Sequence, residues 1–118
     1  MPFDPLRAAE IFHTAINALD FDTIEAAFAE DAVYGSVKVG ALAGRPAIMA
    51  AFRAYFDAYP DQVAEDELVE LVGPMAVRAV WRLKATDSRT GAPLVRHGEE
   101  TITFNAEGKV ARVDVTDY

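Results

Sequence analysis

The sequence predicts an α+β fold in which helices pack on one face of a curved, mainly antiparallel sheet. Apolar residues follow a helical spacing in the first half of the chain and alternate with polar residues after Pro60. Helices that precede a run of hairpin-connected strands are typical of α+β proteins. With 118 residues, of which 52% are hydrophobic and none is cysteine, we expect one domain over residues 1–118 with a core that needs no disulfide.

Three helices are predicted before Pro60. The first runs from Leu6 to Leu19 with Asp4 as its N-cap, because Pro5 suits a first helical turn. The second runs from Phe21 to Phe28. The third has Pro46 in its first turn, ends before Pro60 and carries an aromatic stripe that favours core packing.

Five strands are predicted, with a glycine-containing loop before the third helix. The strands are Ala32–Val37, Val63–Val72, Met75–Ala85, Leu94–Phe104 and Val110–Thr116. Trp81 faces the core side, because it alternates with Arg82 and Lys84. Hairpin pairing sets Trp81 beside Gly98, which leaves room for the indole ring, and sets Leu83 beside Arg96.

The turn at residues 105–108 predicts the register of the last two strands. The expected pairs are Phe104 with Lys109, Ile102 with Ala111, Glu100 with Val113, Gly98 with Val115 and Arg96 with Asp117. Since isolated buried charges are costly, Arg96 and Asp117 are expected to form an ion pair. Glu100 has no obvious partner. It is either a desolvated proton donor or acceptor, or a solvated side chain at the mouth of a cavity.

Two stretches carry a resemblance to a known superfamily. Asp20–Tyr34, DFDTIEAAFAEDAVY, indicates a helix that ends at an acidic corner and continues as a strand, and Gly44–Phe52, GRPAIMAAF, begins the next helix. This order resembles the nuclear transport factor two-like superfamily, whose SnoaL-like polyketide cyclases, ketosteroid isomerases and limonene epoxide hydrolase share a cone-shaped fold. The resemblance covers essentially the whole chain and implies a small-molecule pocket inside the cone.

The resemblance also places polar side chains in that pocket. Tyr34 is similar in position to the water-binding tyrosine of limonene epoxide hydrolase, and Ser36 to that enzyme's asparagine. Ser36 also takes the position of the aspartate base of ketosteroid isomerases. Glu100 takes the position of their protonated oxyanion-hole aspartate.

Other positions depart from both enzymes. Phe12 stands where the isomerases have a tyrosine, and a serine at position 36 cannot replace a carboxylate base. Trp81 and Leu83 stand where the hydrolase has an arginine–aspartate pair, and Val115 where it has a second aspartate. The resemblance therefore implies neither a standard ketosteroid isomerase nor a standard epoxide hydrolase.

We expect a mainly apolar pocket with a few polar groups. Its predicted lining residues are Phe12, Ile16, Tyr34, Ser36, Phe52, Phe56, Trp81, Arg96, Glu100 and Asp117. One hypothesis is a module that binds a small apolar or cyclic ligand. The other is a cofactor-free acid–base enzyme (isomerase, cyclase or hydro-lyase type) acting on a cyclic or polyketide-like compound. Glu100 would then be the proton carrier and Tyr34 an orienting hydrogen-bond donor.

The two histidines are weaker signals. His13 lies on the first helix, where it either faces the pocket as an acid–base group or packs at the surface, and the second role is favoured. His97 points away from the core face, which makes it a candidate interface residue. Two histidines without matching spacing, in a chain without cysteine, predict no metal site, and no cofactor is expected.

Charge and hydropathy limit the partners. A net charge of −8 argues against binding to nucleic acid. No segment approaches the roughly 18 consecutive apolar residues of a membrane span, and the start lacks signal-peptide features, so a cytoplasmic protein is expected.

A homodimer through the outer sheet face is also expected, since superfamily members often associate there. Sedimentation would test it. The face carries a β-branched patch whose flanking bases could pair with acids such as Glu99 of the partner subunit. The patch comprises Val80, Val95, Thr101 and Thr103, and the bases are Arg78, Arg82 and Lys84.

Overall fold

A computed structural model describes residues 3–36 and 40–118 of the chain. These residues form three helices and six strands. In chain order they are α1 (Pro5–Asn17), α2 (Phe21–Ala27), β1 (Phe28–Ser36), β2 (Gly40–Ala43), α3 (Arg45–Ala58), β3 (Val63–Gly73), β4 (Ala76–Thr86), β5 (Pro93–Phe104) and β6 (Val110–Asp117). Val37, the predicted end of the first strand, lies outside the described residues.

The helix boundaries follow from local capping. The Asp4 carboxylate accepts a hydrogen bond from the Arg7 amide (3.2 Å), so the predicted N-cap of α1 is confirmed. Asp20 caps α2 in the same way through Thr23. The first helix ends at Asn17, not at Leu19, because Leu19 takes a left-handed backbone conformation (φ 55°) that no α-helix continues through.

The strands form one mixed sheet in the order β2-β1-β6-β5-β4-β3. Only β1 and β6 run parallel among the described strand pairs, so the predicted α+β class with a mainly antiparallel sheet is confirmed. The sequence analysis missed β2, which it assigned to a loop. This strand has four residues, small and mostly exposed side chains and no alternation, so nothing in its pattern indicates a strand.

The register between β4 and β5 is as predicted. Trp81 pairs with Gly98, and Leu83 pairs with Arg96. The indole of Trp81 is buried beside the glycine, as expected from the alternation along β4. This pairing also places Glu100 opposite Ala79 on the inner face of the sheet.

The predicted register between β5 and β6 is wrong. Phe104 pairs with Val110, because the Asn105 side chain closes a longer turn by accepting from the amides of Glu107 and Lys109 (both 3.0 Å). A bulge then leaves Ala111 without an opposite residue. The observed pairs are Ile102 with Val113, Glu100 with Val115, and Gly98 with Asp117. The total shift is two residues, so Glu100 and Arg96 keep the predicted inward direction.

A bulge also re-aims side chains along β3. Asp66 pairs with Trp81 and Leu68 pairs with Val80, so Glu67 is the extra residue. Ala64 and Asp66 share the inner face before the bulge. Beyond it, Val69 takes that face opposite Ala79. The bulge therefore brings Asp66 and Val69 to the same side of the sheet.

The helices pack their apolar sides against the inner face of the sheet. The most deeply buried side chains there include Phe12, Ile24, Phe28, Ile48 and Ile102. None of the described helices is both long enough and apolar enough to cross a membrane.

On the outer sheet face, charged side chains pair within the chain. Arg78 Nε donates to Glu99 (2.5 Å) and its Nη1 to Glu70 (3.0 Å), while Arg82 donates to Glu67 (3.0 Å). His97, which points outward as predicted, also lies 2.8 Å from Glu67. Glu99 therefore already has a partner in its own chain. The homodimer itself stays a prediction.

Replacing Gly98 by alanine tests the packing beside Trp81. A Cβ atom at position 98 would lie 3.0 Å from Cζ2 of the indole and would clash with the Thr116 carbonyl oxygen. We expect Gly98→Ala to lower the free energy of unfolding by about 1–3 kcal/mol, as overpacked sites do. Gly73→Ala is the matched control, because its nearest neighbour would be Ala76 Cβ at 3.7 Å. Equal urea stability of the two variants would contradict this account.

Candidate functional site

A cavity of about 570 Å³ lies between the helices and the inner face of the sheet. Its walls are mainly apolar and come from α1, α3 and all six of the described strands. The apolar side chains include Ile16, Leu42, Phe52, Phe56, Leu83 and Val115. A volume of this size is typical of small-molecule sites.

Most of the sequence-predicted pocket residues lie at the cavity wall. They are Ile16, Tyr34, Ser36, Phe52, Phe56, Trp81, Arg96 and Glu100. Phe12 is instead buried in the core, with its ring edge-to-face against Phe28 at 5.3 Å. Asp117 lies behind the wall, where it holds Arg96. The functional roles of these residues stay predictions.

Three charged side chains meet at one end of the cavity, and we call them the His13 cluster: Asp66, His13 and Glu100. His13 Nδ1 lies 2.7 Å from Asp66 Oδ2, and His13 Nε2 is hydrogen-bonded to Glu100 Oε1. The expectation that Glu100 lacks a partner is therefore wrong. The favoured packing or surface role of His13 is wrong as well, because its ring bridges two carboxylates at the cavity wall.

The His13 cluster holds a proton tightly. Burial lowers the pKa of His13, but the charges and hydrogen bonds of Glu100 and Asp66 outweigh it and raise the pKa to about 10. The imidazole is therefore a cation at neutral pH, and each of its ring nitrogens donates to a carboxylate.

Asn17 fixes α1 against β3 and so aligns the His13 cluster. Its Nδ2 donates to the Ala64 carbonyl oxygen (2.9 Å), and its Oδ1 accepts from the Ala64 amide (3.0 Å). The side-chain amide thus pairs with β3 as a neighbouring strand would. His13 lies one helical turn before Asn17, and Asp66 lies two residues after Ala64. Hence the two hydrogen bonds bring His13 and Asp66 together.

A second polar group, the Arg96 cluster, comprises Arg96, Asp117 and Tyr55. Arg96 Nε and Nη2 donate to the two oxygens of Asp117 (3.0 and 2.8 Å), and Nη1 donates to Tyr55 Oη (3.2 Å). The predicted Arg96–Asp117 ion pair is therefore confirmed, although Asp117 faces Gly98 and reaches Arg96 diagonally. Burial lowers the pKa of Arg96, but these hydrogen bonds outweigh it and the net shift is upward.

Two further polar side chains reach the cavity. Burial, with a contribution from the charge of Glu100, raises the pKa of Tyr34, so its phenol stays protonated and able to donate. Its ring packs edge-to-face on Phe52 at 5.4 Å. Gln62 is 7% exposed, and residues 3–36 and 40–118 provide no hydrogen-bond partner for its buried Oε1. Buried polar atoms of this kind are uncommon.

The sequence analysis missed Asp66 and Gln62 as site residues. A signal existed, since Gln62, Ala64 and Asp66 occupy alternate positions and so share one side of an extended chain. The acidic residues around this segment and the bulge at Glu67 obscured this alternation.

The arrangement suits proton transfer better than metal binding. Both ring nitrogens of His13 are occupied by carboxylates. Over residues 3–36 and 40–118, no group of histidine and acidic side chains is placed to hold a metal ion. A carboxylate hydrogen-bonded to an oriented imidazolium can accept or return a proton at the cavity wall.

The raised pKa of His13 predicts how stability changes with pH. The folded state keeps the proton up to about pH 10, while the unfolded chain loses it near 6.5. The stabilising contribution is therefore complete below about pH 6.5 and is lost as pH rises to about 10. Within that range, unfolding free energy should fall by up to about 1.4 kcal/mol per pH unit.

Urea unfolding at about pH 6 and about pH 9 measures this effect. His13→Gln should remove most of the decline, because a glutamine has no proton to lose. His97→Gln is the control, since it leaves the His13 cluster intact and should keep the decline. The same pH dependence in His13→Gln and in the unmodified protein would refute the assignment.

Solved structures similar to this chain support the fold. Mycobacterium tuberculosis RV0760c, crystallised with estradiol-17beta-hemisuccinate, has a TM-score of 0.83 and 18% identity over 94% of this chain and 91% of its own. The epoxide hydrolase/cyclase-like enzyme SalBIII, linked to pyran ring formation in polyether salinomycin, has a TM-score of 0.83 and 20% identity over 98% and 93%. A computationally designed 17-OHP binder has a TM-score of 0.82 and 18% identity over 95% and 91%.

Comparison with curated proteins finds no match. A family model described as the SnoaL-like domain matches residues 9–113, which include most of α1, all of α2 and α3, and most of the sheet. The predicted membership of the nuclear transport factor two-like superfamily is confirmed. The chain belongs to the SnoaL-like domain family.

Proposed function

We propose that this protein binds a small, mainly apolar or cyclic molecule inside the cavity. The observation that carries the proposal is a cavity of about 570 Å³ with mainly apolar walls that the His13 and Arg96 clusters interrupt. Such a space suits a ligand held by apolar contact and oriented by a few directional groups. The similar structures, one with estradiol-17beta-hemisuccinate, one a designed 17-OHP binder and one with a role in pyran ring formation, support this class of ligand by analogy.

The proposal excludes a standard ketosteroid isomerase or epoxide hydrolase. By the resemblance, Ser36 stands in place of the isomerase base, and Leu83 and Val115 stand in place of hydrolase acids. Neither set of catalytic groups is complete in this chain. We further propose that the protein acts in the cytoplasm as a homodimer.

Trp81 provides a direct test, because it is the single tryptophan of the chain and lines the cavity. Titration with estradiol or cyclododecanol should change its fluorescence in a saturable way. Ala51 also lines the cavity, on α3, so Ala51→Phe should fill part of it. We expect affinity to fall by about tenfold, given that overpacking costs about 1–3 kcal/mol and about 1.4 kcal/mol is tenfold.

Ala54→Phe is the matched control, because Ala54 is exposed on the same helix. It should bind as the unmodified protein does. Urea unfolding of both variants separates loss of binding from loss of fold. An unchanged affinity in Ala51→Phe, or an equal loss in Ala54→Phe, would place the ligand outside the cavity.

A second candidate function is cofactor-free proton transfer, and the His13–Glu100 contact favours it. Glu100 would accept a proton from a carbon next to a ligand carbonyl and later return one. His13 would hold the carboxylate in place, and Tyr34 would donate to the carbonyl oxygen. General acid–base catalysis of this kind needs one positioned carboxylate and no cofactor.

Deuterium exchange tests this candidate. Cyclododecanone in heavy water should exchange its α-hydrogens faster with the protein than without it, as followed by NMR. Glu100→Gln should lower the protein-dependent rate by at least about 100-fold, the lower end of the acid–base contribution. Glu99→Gln, at the neighbouring outward-facing position, should leave it unchanged. Exchange that survives in Glu100→Gln would exclude Glu100 as the proton carrier.

A further inference from the structure

We propose that the cavity ligand presents a hydrogen-bond donor, either a hydroxyl or a protonated amine, to the carboxylates of Glu100 and Asp66. Ligands that carry a carboxylate or phosphate are disfavoured. The inference rests on the proposed binding function and specifies the polar chemistry of its ligand. Three independent features of the cavity wall carry it.

The first feature is the excess of acceptors in the His13 cluster. Each carboxylate gives one oxygen to His13, and the described residues offer no partner to Glu100 Oε2 or Asp66 Oδ1. The side chains of Glu100 and Asp66 are 11% and 27% exposed, so both remain reachable. Two carboxylates share one imidazolium, and this end of the cavity therefore carries an excess negative charge.

The second feature is that the cationic side chains at the cavity wall already have partners. Among the described residues that line the cavity, the cationic side chains are His13 and Arg96. Both ring nitrogens of His13 are occupied. Arg96 is held by both oxygens of Asp117 and by Tyr55, and its guanidinium carbon lies 5.2 Å from the centre of the Trp81 ring. An anionic ligand would have to displace an existing ion pair to find a cation here.

The third feature is Gln62, which lines the same cavity and whose buried Oε1 has no hydrogen-bond partner among the described residues. A buried acceptor without a partner is satisfied by a donor and not by a second acceptor. Gln62 and Asp66 occupy alternate positions on either side of Ala64. Consequently, Ala64 lies between two acceptors, the Asp66 carboxylate at the cavity wall and the Gln62 oxygen buried behind it.

A series of compounds on one apolar ring tests the inference. Cyclododecanol and cyclododecylamine carry donors, cyclododecanone carries only an acceptor, and cyclododecanecarboxylate carries an anion. Calorimetry and Trp81 fluorescence should give affinities for the alcohol or the ammonium at least about tenfold above the ketone, with the carboxylate weakest. Hydrogen bonds to charged acceptors are strong enough for a ratio of this size.

The arms of the series separate the possible results. Preference for the alcohol identifies a hydroxyl as the donor, and preference for the ammonium identifies an amine. A ketone or carboxylate that binds as tightly as both donors overturns the inference and leaves the proposed binding function intact. No signal from any of the four compounds, with the protein folded, overturns the proposed function and the inference with it.

Conservative variants identify the acceptor. Glu100→Gln keeps the shape of the side chain and removes its charge, so the ammonium-to-ketone affinity ratio should fall at least about tenfold. Asp66→Asn tests the same ratio independently if Glu100→Gln does not fold. Glu99→Gln, one residue away on the outer face, is the control and should keep the ratio. An unchanged ratio in a folded Glu100→Gln or Asp66→Asn overturns the assignment.

Discussion

The imidazolium of His13 between two carboxylates is the interaction on which the site depends. Asp66 and Glu100 would each be costly to keep charged at an apolar wall, and His13 would lose its proton there without them. When the three groups are together, each lowers the free-energy cost of the charges on the others. The three residues come from α1, β3 and β5, so the same contacts tie the first helix to two strands.

This cluster forms because the backbone around it is arranged for it. The amide pair between Asn17 and Ala64 fixes the position of α1 along β3, and the bulge at Glu67 keeps Asp66 and Val69 on the same inner face of the sheet. Gly98 leaves room for the indole of Trp81, on which the guanidinium of Arg96 packs at 5.2 Å from the ring centre. The Asn17–Ala64 hydrogen bonds and the β3 bulge are not ion pairs, yet they bring His13 and Asp66 together.

The sequence predicted correctly those features that depend on a regular alternation of apolar and polar residues. The fold class, the burial of Trp81 and the pairing of β4 with β5 follow from a period of two without interruption. The errors arose where the period breaks. The Asn105 turn and the Ala111 bulge shift the register of β6 from the predicted one. The Glu67 bulge interrupts the alternation that would have indicated Asp66 as a site residue. The His13–Glu100 contact joins residues from a helix and a distant strand, and no local spacing records such a meeting.

The pairing of the charges also explains how an open cavity is compatible with a stable fold. An unpaired charge on the inner face would be costly to bury. It would favour structures in which water solvates the charge or in which the strand that carries it is displaced. Here Arg96 is balanced by Asp117, and His13 by Glu100 and Asp66, so the polar groups are largely satisfied before any ligand arrives. A ligand therefore needs to replace few hydrogen bonds. Under the proposed binding function, affinity would come from apolar contact with the walls, and selectivity from the acceptors that the clusters leave unused.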